Sequence, residues 1–262
     1  MRRLAPNHRQ NVVDTECRIL NSIARLWRAT SPQRSLGRGV GYTWPNWPII
    51  YTDYIDIYQV HWPDSKVPIE ETAEVMEKLM EQEKIRLIGV SNYSPEQMDR
   101  FRTVAPLHTS QPPYNLFERS VEEDVLPYCQ KNDLAVLVYG ALCRGLLTGK
   151  MRPDTRFHGD DLRKADPKFR STRYERYLDA VKRLDDFALE NYSKRVLPLA
   201  IRWILDQISN GVALWGARRP QQVDTVDEAM GWSLDEHAMK QIDSILRETI
   251  EEPLGPDFMA PP

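Results

Sequence analysis

From residue 52 onward the spacing of hydrophobic and polar positions switches repeatedly between two periods, and the switches mark out strands alternating with helices. In Tyr54-Ile-Asp-Ile-Tyr-Gln-Val-His61, residues Ile55, Ile57, Gln59 and His61 fall on one face and Tyr54, Asp56, Tyr58 and Val60 on the other. A period of two predicts a buried strand, and Trp62-Pro63-Asp64 ends it. Pro68 stands where a first helical turn tolerates proline, so Ile69 to Gln82 reads as a helix with Val75, Leu79 and Met80 on its buried side. Ile85 to Asn92 is a second strand that closes on two polar side chains. Ser94-Pro-Glu-Gln97 can cap a helix reciprocally, serine to the N3 amide and glutamine back to the cap, which starts a helix running to Arg102.

The same alternation continues. Leu107 to Gln111 predicts a third strand, Val121 to Lys131 a helix, and Leu134 to Tyr139 a continuous apolar strand covered on both faces. Helical periods run from Ser171 to Tyr192 and from Leu197 to Gln207, Gly211 to Gly216 is a last strand, and Ser233-Leu-Asp-Glu236 reads as a second capping box opening a helix to Thr249. Strand ends recur every 20 to 30 residues, the spacing of βα units in a parallel sheet. Between them, Met151 to Arg170 is polar and without period; a stretch of that length is expected to be functional or mobile.

The first fifty residues are different in kind. They hold eight arginines, no lysine and two acids, together with Trp27, Trp44 and Trp47. Cys17 to Arg28 can form one amphipathic helix on Ile19, Leu20, Ile23, Leu26 and Trp27. An organellar transit peptide or a basic arm has this composition. The simpler expectation is a divergent, weakly structured segment over residues 1–51, with the folded part spanning 52–262.

Composition narrows the class. At 262 residues and 41% hydrophobic the chain can bury a large core, and a net charge of -3 makes neither nucleic acid nor an anionic membrane a partner of the whole chain. No apolar run reaches the roughly 18 residues that span a bilayer. Cys17, Cys129 and Cys143 are odd in number and lack metal-ligand spacing, which fits a reducing, cytoplasmic setting. His158-Gly-Asp-Asp161 reads as a solvated turn and not a metal site.

The candidate chemistry lies at the strand ends, where parallel α/β barrels carry theirs. His61, Ser91 with Asn92, Gln111 and Tyr139 each close a strand. One polar strand end carries no information; four in succession suggest a shared site. Serine, asparagine and glutamine can donate to and accept from a carboxamide, a phenol ring can stack on a flat heterocycle, and an imidazole can hydrogen-bond a carbonyl.

Asp53-Tyr-Ile-Asp-Ile-Tyr-Gln-Val-His-Trp-Pro-Asp64, Ile88-Gly-Val-Ser-Asn-Tyr-Ser94, Gln111-Pro-Pro-Tyr-Asn-Leu-Phe-Glu-Arg119 and Tyr139-Gly-Ala-Leu-Cys-Arg-Gly-Leu-Leu-Thr-Gly149 follow one another as motifs do in the aldo-keto reductases, which the chain resembles from Thr52 to its C-terminus. The resemblance implies a (β/α)8 TIM-barrel fold that binds NADP(H) and reduces aldehydes or ketones, small-molecule carbonyl substrates, to alcohols. It implies that His61 orients the carbonyl, that Ser91, Asn92 and Gln111 hold the nicotinamide carboxamide, and that Tyr139 stacks on the ring. Gly140 to Leu146, including Leu142 and Gly145, would line the pyrophosphate, and Gly216, Arg218 and Gln222 match the motif for the adenosine end, with Arg218 suited to a 2′-phosphate. Where the family has an adenine-binding asparagine this chain has Val226, beside Asp227.

The resemblance also implies an Asp, a proton-donating Tyr and a Lys ahead of residue 52. Val12-Val-Asp-Thr-Glu16 echoes the first of these, but Ile19 stands five residues after Asp14, and the first lysine is Lys66. Residues 1–51 are too few for three βα units, so the expectation is an incomplete barrel lacking its first three units, self-associating through an open edge. The alternative to a reductase is a noncatalytic nucleotide-binding or interaction protein built on the same site.

Overall fold

The computed structural model describes residues 53–217 and 219–256. Strands and helices alternate: β1 (Ile55–Val60), α1 (Ile69–Glu81), β2 (Ile85–Ser91), α2 (Pro95–Arg102), β3 (Thr109–Gln111), α3 (Val125–Lys131), β4 (Ala135–Val138), α4 (Ser171–Tyr192), α5 (Val196–Gln207), β5 (Gly211–Ala213) and α6 (Glu236–Thr249). The strands form one sheet in chain order, the α/β arrangement of the TIM-barrel type. The chain divides into two compact units between Ser110 and Gln111. The expected N-terminal segment lies outside the described residues.

In the first unit β1 and β2 pair in parallel, from Ile55 opposite Ile85 to Val60 opposite Val90. Ile88, Val90, Met98 and Phe101 are fully enclosed. Each such side chain contributes about 1.5–3 kcal/mol relative to exposure. The reciprocal cap of α2 forms as the sequence predicts: Ser94 Oγ accepts from the Gln97 amide (3.3 Å) and Gln97 Oε1 from the Ser94 amide (2.9 Å). β1 is less covered than its apolar period suggests. Ile57 is buried but Tyr58 is 39% exposed, since β1 stands first in the sheet order. The buried side of α1 also differs: Ile69, Ala73 and Met76 face inward at helical spacing, and Val75 lies on the open side, 56% exposed.

The second unit is built on the parallel pair β4 and β5, with Val136 opposite Gly211 and Val138 opposite Ala213. Leu137, Leu146, Leu184, Leu199 and Trp203 fill its core. The helix expected from Val121 splits: a short 3-10 turn over Ser120–Glu122 precedes α3, which starts anew where Asp124 leaves the helical region and its carboxylate caps Val125. α6 is capped by Asp235, accepting from the Ala238 amide (2.8 Å), and not by Ser233. Both residues satisfy the cap pattern, and the aspartate sits one position ahead of the first helical residue.

Candidate cofactor and active site

In the first unit the β1–β2 register carries the site. Val60 opposes Val90, so the next residues, His61 and Ser91, leave the sheet side by side. Asn92 then takes a left-handed conformation (φ 61), which asparagine tolerates better than most residues. That turn sends its side chain back: Nδ2 donates to the His61 carbonyl (3.0 Å) and to Ser91 Oγ (3.0 Å). Ser91 is buried, Asn92 half-buried and His61 exposed, its imidazole edge-on to Trp62 at 6.2 Å. A donor, an acceptor and an open imidazole are thereby fixed around one strand end.

One residue layer below, Gln59 Nε2 donates to Thr109 Oγ1 (3.3 Å) over Gly89. A Cβ on Gly89 would lie 2.2 Å from that hydroxyl and 2.7 Å from Gln59 Cγ, so only glycine lets the two side chains meet across β2.

In the second unit Tyr139 follows β4. Its amide donates to the Pro112 carbonyl (3.1 Å), and the Tyr114 amide donates to its carbonyl (3.1 Å). Gln111, the last residue of β3, and Tyr139 therefore emerge at the same end of neighbouring strands, both half-buried. Burial, reinforced by the charge of Glu118 and opposed by Arg144, pushes the Tyr139 phenol up to about 12. The phenol is uncharged at physiological pH.

The chain next winds through a tight turn. Gly140 (φ 72) is followed by three consecutive left-handed residues, Cys143 (φ 43), Arg144 (φ 53) and Gly145 (φ 95). The Cys143 amide donates to Gly140 (2.7 Å), and the Gly145 (2.8 Å) and Leu147 (3.2 Å) amides to Leu142. These bonds spend three amides on the turn itself and so hold its shape. A Cβ on Gly140 would meet nothing nearer than 3.9 Å, so glycine serves the backbone angle there; at Gly145 the Met151 methyl (3.1 Å) and the Arg163 guanidinium (4.0 Å) close in.

Behind the turn lies a group of charges that sequence reasoning missed. Glu118, Asp166 and Lys168 are buried and Arg144 nearly so. Asp166 and Lys168 belong to the stretch expected to be functional or mobile, and their complete burial pins that end of it. Its two short 3-10 turns, Leu162–Lys164 and Pro167–Phe169, are each capped by an aspartate, Asp161 and Asp166. The available signal was Glu118 inside the third motif and Asp166-Pro-Lys168 in a loop. Each reads alone as a solvated charge.

The residues expected at the adenosine end follow β5. Gly216 is exposed, and Gln222 is exposed in a 3-10 turn over Pro220–Gln222, where its Oε1 accepts from the Arg219 amide (2.9 Å). Arg218 lies outside the described residues. No group of side chains among the described residues has metal-ligand form.

The strand order defines an α/β chain of the TIM-barrel type, and the chain belongs to the aldo/keto reductase family, whose pattern matches residues 48–247. It is 60% identical over 213 residues to aldo-keto reductase YhdN of Bacillus subtilis, covering 81% of this chain and 64% of that protein. It is 31% identical over 227 residues to the NADH-specific methylglyoxal reductase of Escherichia coli, covering 82% of this chain and 68% of that one. Among solved structures, the glycerol dehydrogenase AKR11B4 of Gluconobacter oxydans superposes with a TM-score of 0.73 at 53% identity, over 79% of this chain and 63% of its own. An aldo/keto reductase from Klebsiella pneumoniae in complex with NADP and acetate superposes with a TM-score of 0.55 at 28% identity, over 74% and 59%. The chain thus spans less than two-thirds of the length of several of its relatives.

Proposed function

We propose that the chain acts as an NADP(H)-dependent oxidoreductase of aldo-keto reductase type, reducing aldehydes or ketones to alcohols. The bound cofactor supplies the hydride. The observation that carries this reading is the clasp in which Asn92 joins the ends of β1 and β2, leaving Ser91, Asn92 and an open His61 imidazole together. Ser91, Asn92 and Gln111 hold the carboxamide, which offers one acceptor and two donors to their hydroxyl and amide groups. Tyr139 stacks on the ring. The Gly140–Leu146 segment would line the pyrophosphate with backbone amides. Gly216, Arg218 and Gln222 take the adenosine end.

One relative is named NADH-specific and another is solved with NADP, so preference varies across the family. A guanidinium at Arg218 favours the 2′-phosphate and hence NADP(H). His61 is the catalytic residue of this reading, since its imidazole hydrogen-bonds the carbonyl oxygen. A general acid that protonates the carbonyl oxygen contributes about 10²- to 10⁴-fold in rate. Three cysteines without paired or metal-ligand spacing support a reducing compartment. Residues 52–262 form the reductase part, and β1, first in the sheet order among the described residues, would be the edge through which copies associate.

The test is transfer of deuteride from 4-deuterated NADPH to an aldehyde, read in the alcohol by mass spectrometry. Labelled alcohol that disappears in His61→Ala supports the reading. Cofactor binding with no labelled product would instead establish a noncatalytic nucleotide-binding protein.

A further inference from the structure

We infer that Glu118, Arg144, Asp166 and Lys168 are positioning residues, a buried and charge-balanced lock that holds the Gly140–Gly149 turn in the shape that receives a diphosphate. The inference rests on the reading of that turn as the pyrophosphate site. Glu118 is the hub. Its Oε1 meets Lys168 Nζ at 2.8 Å and Arg144 Nη2, and its Oε2 accepts from Asn115 Nδ2 at 2.7 Å. The same Asn115 nitrogen donates to the Gly140 carbonyl at 3.0 Å, so the hub grips the first residue of the turn.

The lock grips the middle of the turn as well. Arg144, at φ 53, uses two edges of its fork: Nε bonds Asp166 Oδ2 and Nη2 bonds Glu118. Lys168 Nζ stands 3.6 Å from Asp166 Oδ1 and donates to the Gly255 carbonyl at 3.2 Å. Four segments distant in sequence are thereby tied at one point: the third motif, the turn, the polar stretch and the C-terminal tail.

Two cations and two anions balance, and side-chain exposure is 14% for Arg144, 1% for Glu118 and 0% for Asp166 and Lys168. Apolar side chains can fill such a space at no loss of stability, so a charged group here points to the fixing of a particular geometry. The geometry at stake is unusual. Left-handed residues in succession persist only where surrounding structure over-determines them, and Cys143 and Arg144 both have a Cβ to accommodate.

The test compares the full chain with Glu118→Gln/Lys168→Met, which removes one charge of each sign, and with Arg144→Lys, which keeps the charge but cannot span both carboxylates. Three readouts are taken: affinity for NADPH, affinity for 2′-AMP, which has no pyrophosphate, and hydrogen exchange by mass spectrometry. Both variants are expected to bind NADPH about tenfold or more weakly. Binding of 2′-AMP stays at the parental level, and exchange quickens over residues 140–149 while β4 and α5 remain protected. NADPH affinity at the parental level, or parental exchange over 140–149, overturns the inference, as does an equal loss for 2′-AMP. Should the parent bind no NADPH, the cofactor reading fails separately, and exchange over 140–149 alone decides whether the charges hold the turn. If the double variant fails to fold, Arg144→Lys carries the comparison.

Discussion

The two units, taken each by itself, hold their candidate residues by opposite means. At the β1–β2 end, neutral groups suffice: the Asn92 amide bridges the His61 carbonyl and the Ser91 hydroxyl, at a site open enough to leave the imidazole exposed. At the Tyr139 turn, two ion pairs sit almost entirely out of water, around a backbone bent left-handed three times in succession. The difference follows from what each must fix. A strand end inherits its position from the sheet ladder and needs only one side chain to finish it. A glycine turn inherits nothing from a ladder and must be gripped by distant parts of the chain.

The sharpest way to break the contrast is to strip one charge from the buried group. Lys168→Ala leaves Glu118 and Asp166 with only Arg144 between them, and breaking a buried pair costs about 3–5 kcal/mol, so chemical denaturation of the variant should show a loss of that size. The first unit has a different weak point. Gly89→Ala forces a Cβ to within 2.2 Å of Thr109 Oγ1, and overpacking of this kind costs about 1–3 kcal/mol, visible as a lowered denaturation midpoint. Ser94→Ala removes the cap acceptor of α2, which sits just beyond Asn92, at a cost of about 0.5–2 kcal/mol in the same assay.

Alkaline pH separates the units in another way. Burial pushes the phenols of Tyr139 and Tyr177 up to about 12, from 10.0 when unhindered. Between those values the unfolded chain has released protons that the folded chain still holds. The contribution is complete below pH 10 and fades as pH rises toward 12. Tyr139→Phe and Tyr177→Phe should each flatten the alkaline fall in stability, whereas changes at His61 leave it alone.

The sequence exposed the strand-end residues much better than the charges behind the turn, for a physical reason. His61, Ser91, Gln111 and Tyr139 are legible because the period of two says where a strand runs, and the place where it stops says where its last side chain emerges. Arg144, Asp166 and Lys168 are not legible in that way: a period reports which face a residue takes within its own element, and these lie in turns. Their burial depends on Glu118, far off in the chain, and a lysine in a polar stretch gives no local sign of being enclosed. The misplaced buried side of α1 has a related cause. Val75, Leu79 and Met80 make a plausible stripe by hydrophobicity, but the helix turns on Ala73 and Met76, whose smaller or more pliable side chains let it approach the sheet. Ser233 and Asp235 compete for one cap, and pattern alone does not choose between them.

The measurement that bears most directly on the account is titration of the purified full chain with NADPH, followed by tryptophan fluorescence with Trp62 beside His61 as a reporter, and repeated on Tyr139→Ala. The account predicts saturable quenching, a melting temperature that rises with cofactor concentration, and markedly weaker binding in the variant. A parent that shows no saturation, or a variant that binds as well as the parent, would contradict it.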